Sequence, residues 1–150
     1  MEKLVLEAFL PYRLNRLSAA VSQQLKAVYG KKYGLTVPEW RLLATLGQFG
    51  SLTAKQVGEH SAMHKTKVSR AVATLEKRRW LKRNRSDSDR REELLSLTRL
   101  GTGAYNSIYP EMARFERDIY ARLRVRDLSA LSRSLQALER VVLSKNIPSR

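Results

Sequence analysis

The chain contains no cysteine. Disulfides, thiol-based redox sensing and thiolate metal sites are therefore excluded at once. No apolar run approaches the roughly 20 residues a membrane-spanning helix needs. The opening stretch, Met1 to Leu10, carries acids where a secretory leader needs an apolar core, so a cytoplasmic protein with no membrane partner is expected. A glycine-rich phosphate loop and paired carboxylates in an apolar frame are missing too, which argues against an enzyme and leaves no cofactor expected. Acids are scarce relative to bases: 14 against 29 lysines and arginines, for a formal charge of +15. With a pI near 10.7, that excess favours an anionic partner, nucleic acid ahead of a membrane surface. The length of 150 residues suits one domain with a core of its own.

The charge is concentrated. Between Lys65 and Arg91 stand eleven cations against three acids, Glu76, Asp87 and Asp89. A short amphipathic helix followed by a basic ribbon fits duplex DNA, a polyanion with grooves.

Apolar periodicity predicts a mainly helical chain. Leu14, Leu17, Val21, Leu25 and Val28 recur at steps of three or four, with Pro11 at the start and the Gly30–Gly34 stretch at the end. Thr36-Val-Pro-Glu39 reads as a capping box opening a helix through Trp40, Leu42, Leu43 and Leu46, closed by Gly47 and Gly50. Thr53-Ala-Lys-Gln56 is a second capping box, for a short helix packed through Val57. A turn at Ser61 to Met63 leads to a helix with Val68, Val72 and Leu75 on one face. Two helices joined by a short turn behind a support helix predict a helix-turn-helix. Lys65, Thr66, Lys67, Ser69 and Arg70 then occupy the polar face near the second helix's start, where such helices meet bases and phosphates.

After Trp80 the period shortens. Leu81 to Arg85 and Glu93 to Leu97 predict two strands joined by turn residues Ser86 to Asp89, the wing of a winged helix. Its tip carries Arg85, Arg90 and Arg91 towards a minor groove or phosphates. Asp87 and Asp89 fit a DNA-facing loop if they orient neighbouring guanidinium groups by charge-assisted hydrogen bonds.

These stretches resemble the MarR family of winged-helix transcriptional regulators. Asp89-Arg-Arg91, followed after five residues by Leu97-Thr98 and then Gly101, is similar to the family's wing signature. Leu35-Thr-x-x-x-Trp40-Arg-Leu-Leu is similar to the opening of its second helix, and Val68-Ser-Arg-Ala-Val-x-x-Leu-Glu76 to its recognition helix. The resemblance spans roughly residues 12 to 145. It implies a homodimer on a pseudo-palindromic operator, with Arg91 as the wing arginine, Asp89 as its orienting acid, and Ser69 and Arg70 at recognition-helix contact positions. The chain departs from the pattern at His64, where a small capping residue is common, and at Lys67, where threonine is common.

Together with the first helix, two apolar stripes near the other end support the dimer independently. Ile108, Met112, Phe115, Ile119 and Leu123 form one, and Leu128, Leu131, Leu135, Leu138 and Val142 another with heptad-like steps. The expected organisation is an N-terminal dimerisation helix over 1–34, a winged helix-turn-helix over 35–101 and C-terminal dimerisation helices over 102–150. The family also implies a small, aromatic or anionic effector between the dimer helices and the DNA-binding lobe. Tyr12, Arg16 and Trp40 are the candidates by position. His60 and His64 stand four apart beside Glu59, a metal-pair spacing, but a predicted turn separates them and no metal is expected. Two functions follow: a ligand-responsive repressor reading a specific operator, or a non-specific architectural DNA-binding protein.

Overall fold

The computed structural model describes residues 3–85, 87–89 and 91–144. Among them run six helices and three strands in the order α1 (Leu10–Tyr33), α2 (Val37–Phe49), β1 (Leu52–Thr53), α3 (Ala54–Ser61), α4 (Lys65–Lys77), β2 (Leu81–Arg85), β3 (Glu93–Leu97), α5 (Arg99–Tyr120) and α6 (Val125–Leu143). This is a winged helix-turn-helix, mainly helical with a small antiparallel wing.

Local chemistry explains the boundaries. Pro11 occupies the first turn of α1, where its missing N–H costs nothing. The Gly30–Gly34 stretch ends this helix: Gly30 lies in its last turn, and Gly34 closes it at φ 62°, donating its N–H to the Gly30 carbonyl at 2.9 Å. Both capping boxes form: the Thr36 amide meets Glu39 Oε2 at 2.9 Å, and the Thr53 amide meets Gln56 Oε1 at 2.9 Å. Gly47, expected at the end of α2, is interior to it. A Cβ there would lie 2.7 Å from the Tyr105 ring, so the bare glycine lets α5 press against α2.

The two predicted wing strands appear with the expected bounds, in the register Leu81↔Leu97 to Arg85↔Glu93. The third strand, β1, was absent from the sequence expectation. It pairs Leu52 with Leu95 and Thr53 with Leu94, giving the sheet order β1-β3-β2. Two residues are too few for a period-2 signal, so only tertiary pairing creates it.

The chain divides into two compact units, residues 1–112 and 113–150. The first holds a core of Tyr29, Leu35, Leu42, Leu43, Leu46, Val57, Val68, Val72, Leu75, Leu95 and Ile108. Burying such side chains contributes about 1.5–3 kcal/mol each, and their convergence holds the support helix, both helices of the motif and the wing together. In the second unit α6 has no buried residue; Leu135 is 43 % and Val142 53 % exposed. The start of α1 is similarly uncovered, with Leu14, Leu17 and Val21 exposed. Among the described residues, no helix is long and apolar enough to cross a membrane.

Candidate nucleic-acid interface

Helix α4 has two unlike faces. Val68, Ala71, Val72 and Leu75 are buried, which fixes the helix about its own axis. Lys65, Thr66, Lys67, Ser69 and Arg70 are thereby all exposed on the opposite side, as one patch at the first two turns. His64 is the N-cap residue, with extended backbone but no side-chain cap bond. The unspent N–H groups of the first turn therefore face outward with the cations around them.

The wing sets a second group. Arg85 ends β2 and Arg91 follows the tip, both exposed. Arg90 lies outside the described residues. Asp89 bonds the backbone of Arg91 and not its guanidinium: its Oδ1 accepts the Arg91 amide N–H at 2.9 Å. Across two residues a carboxylate reaches the main chain more readily than a guanidinium, closing an Asx-type turn.

Two arginines counted in the basic run are occupied elsewhere. Arg83 donates from Nε to Glu76 Oε1 at 2.8 Å, from Nη2 to Glu76 Oε2 at 3.0 Å and from Nη1 to Glu93 Oε2 at 2.9 Å. Those carboxylates hold its proton more tightly than usual, and they tie the wing strands to the end of α4. Arg78 donates to the carbonyls of Tyr33 and Gly34. Counting charges along the sequence could not separate these from free cations; the position of Glu76 seven residues before Arg83 was the available signal.

The wing signature has a mechanical reading as well. The Thr98 hydroxyl donates to the Arg79 carbonyl at 2.6 Å and accepts the Gly101 N–H at 3.1 Å, so it caps α5 while pinning the end of the α4 turn. Arg79 sits in the left-handed region at φ 59°. Its N–H meets the Glu76 carbonyl and that of Trp80 meets Leu75, the paired closure of a Schellman motif with arginine where glycine is usual.

Between α3, α4 and the sheet lies a hollow of about 580 Å³, bordered by Lys65, Ser69, Arg83 and Glu93. A second, of about 430 Å³, is lined by Trp40, Arg41, Thr45, Gln48, His60, Tyr105 and Tyr109. The predicted ligand trio is divided. Trp40 borders this second hollow and stacks on Tyr29 at 5.6 Å. Tyr12 and Arg16 stand near the other end of α1, with the Arg16 guanidinium 5.8 Å from the Tyr12 ring. At 1.5 Å per residue, Tyr12 and Tyr29 are about 25 Å apart along the helix. His60 meets the Phe49 ring at 4.6 Å, while His64 begins α4.

A buried-backed basic helix beside an arginine-bearing wing defines a DNA-binding transcriptional regulator of the winged helix-turn-helix class. Known proteins agree. The MarR family model matches residues 33–92. The uncharacterized HTH-type transcriptional regulator YwoH of Bacillus subtilis is 31 % identical over 100 residues, covering 67 % of this chain and 72 % of that one. A MarR family transcriptional regulator from Silicibacter pomeroyi aligns with a TM-score of 0.77 at 28 % identity, over 90 % of each chain. BpsR of Bordetella bronchiseptica, whose DNA binding is regulated by 6-hydroxynicotinic acid, shares the fold with a TM-score of 0.78 at 17 % identity, over 92 % of this chain and 98 % of its own. The chain belongs to the MarR family.

Proposed function

We propose that the protein is a homodimeric repressor that binds a pseudo-palindromic operator and leaves it on binding a small aromatic acid. The observation that carries the DNA reading is the two-faced α4: the apolar side is fully buried, and five polar or cationic side chains stand free on the other. Lys65, Thr66, Lys67, Ser69 and Arg70 enter the major groove. Arg85, Arg90 and Arg91 bind phosphates or the minor groove, with Asp89 shaping the tip. Two-fold symmetry sets two such helices about 34–36 Å apart, one turn of duplex.

Residues 35–101 form the reading head in this scheme. Residues 1–34 and 102–150 supply the dimer helices, supported by the uncovered apolar side chains of α1 and α6. The effector occupies the hollow bordered by Trp40, Tyr105 and Tyr109, whose rings suit an aromatic body while Arg41 suits a carboxylate. Tyr12 and Arg16 leave the ligand set and belong with the dimer helices. An occupant acts only by favouring one placement of the reading heads over another.

Fluorescence anisotropy at near-physiological salt tests this. The protein is titrated onto its own upstream intergenic DNA, a duplex selected from a random library, and a scrambled duplex of equal length. A specific regulator separates selected from scrambled DNA by ~10³ or more. Equal affinity for all three establishes the alternative, a non-specific architectural DNA-binding protein served by its +15 charge.

A further inference from the structure

The last turn of α1 is a junction between helices that do different work. Its terminal carbonyls have no partner within the helix. Arg78, the C-cap residue of α4, supplies them: Nη1 donates to the Tyr33 carbonyl at 2.7 Å and Nη2 to the Gly34 carbonyl at 2.6 Å. The guanidinium also lies 5.1 Å over the Trp80 ring. The same turn grips α5. Lys32 Nζ pairs with Glu111 Oε1 at 2.5 Å, and the Tyr33 hydroxyl stands 3.2 Å from both that oxygen and the Ser107 carbonyl.

We propose that Arg78 is a positioning residue for DNA reading, setting the angle of α4 against α1 and hence the direction in which the reading patch points. This rests on α4 being the DNA-reading helix. Burial of Val68, Val72 and Leu75 holds α4 against the core, but apolar contact is non-directional and leaves freedom to pivot. Two directed hydrogen bonds at the far end of the helix remove that freedom. They act about 20 Å from Lys65, so a small rotation at Arg78 becomes a large displacement at the patch. The planar guanidinium presents a separate N–H to each carbonyl in fixed geometry, whereas a lysine's three donors rotate on a flexible stem and fix neither direction. Through Tyr33 and Lys32 the same turn follows α5, which also carries Tyr105 and Tyr109 on the wall of the second hollow. A shift of α5 thus reaches α4 through one turn of α1.

The absence of cysteine makes the full chain suitable for paired spin labels without background. Labels at Gln23→Cys on α1 and Ala73→Cys on α4, both exposed positions, report the angle as a distance distribution once labelled chains are diluted with unlabelled ones. The parent protein gives one narrow distance. Arg78→Ala broadens it at least twofold, and Arg78→Lys broadens it as well, while Tyr33→Phe leaves it unchanged because it breaks only the link to α5. In parallel, Arg78→Ala lowers the ratio of selected-duplex to scrambled-duplex affinity by about tenfold, with scrambled affinity kept within about twofold, since the phosphate contacts are untouched. A distance in Arg78→Ala as narrow as the parent's overturns the proposal. So does a broadened distance with an unchanged affinity ratio, which reduces Arg78 to packing. If Arg78→Ala fails to fold by circular dichroism, Arg78→Lys carries the same readouts. A parent protein that does not distinguish selected from scrambled DNA refutes specific reading, and the positioning of that reading with it; the distance data still report separately whether Arg78 sets the helix angle.

Discussion

The carbonyl oxygen of Trp80 occupies the space where a side chain on Gly101 would be: a Cβ built there falls 1.9 Å from that oxygen. Backbone faces backbone at this point, between the end of the α4 turn and the first turn of α5, and neither can yield as a flexible side chain would. Thr98 bonds across the same seam, so the spacing from Thr98 to Gly101 is a packing requirement of this fold.

Gly101→Ala should therefore destabilise the fold by about 3 kcal/mol, at the upper end of overpacking costs. Urea unfolding at fixed protein concentration measures it. A loss under about 1 kcal/mol would mean that the seam opens easily.

Arg79→Gly should act in the opposite direction. The left-handed conformation costs a non-glycine residue roughly 1–2 kcal/mol, part of which is offset by glycine's greater freedom in the unfolded chain. A net gain of about 0.5–1 kcal/mol in the same assay is expected, with the dimer retained.

Arg91→Ala should weaken operator binding by roughly 1–3 kcal/mol while sedimentation shows an unchanged dimer. Equal affinity would remove the wing from the interface.

Leu135 lies exposed on a helix without a buried residue. Leu135→Glu should dissociate the dimer, read by sedimentation velocity across a concentration series. A dimer of parental strength would place the interface elsewhere.

Tyr29 supplies a prediction in pH. Its ring is buried, and burial holds the phenol above its ordinary value of 10.0, with the Arg41 charge partly opposing. A raised folded-state value leaves the contribution intact below about pH 10; it is lost as pH rises, because the unfolded chain ionises first. Tyr29→Phe should flatten the fall in stability above pH 10 relative to the parent, measured by urea midpoints from pH 8 to 11. Parallel curves would exclude Tyr29 as its source.

Much of this architecture was legible from local rules. Thr36 and Thr53 announce their helices because a capping box is completed within four residues, and the strands on either side of the wing turn carry their own period. The 2-residue β1 was not legible, since its partner Leu95 is more than forty positions away. Gly47 reads as a helix end until Tyr105 is seen against it. The roles of Arg78 and Arg83 were hidden for the same reason: charge is visible in sequence, whereas its satisfaction depends on Tyr33, Gly34, Glu76 and Glu93 arriving nearby. The separation of Tyr12 and Arg16 from Trp40 was not legible either, because it depends on the length of α1 as a rigid rod.

The sheet order has a consequence for behaviour in a crowd. In the order β1-β3-β2 the sheet has two edge strands, the short β1 (Leu52–Thr53) and the longer β2 (Leu81–Arg85). Every residue of β2 after Leu81 is exposed, and Lys82, Arg83 and Arg85 all carry positive charge. An unpaired strand ordinarily invites another strand to extend the sheet; charged side chains along it discourage that pairing, here Lys82 and Arg85 beside an Arg83 held by Glu76 and Glu93. The charged β2 edge thus works against sheet-to-sheet pairing between copies of the chain, a constraint on crowding that the fold carries in its strand order.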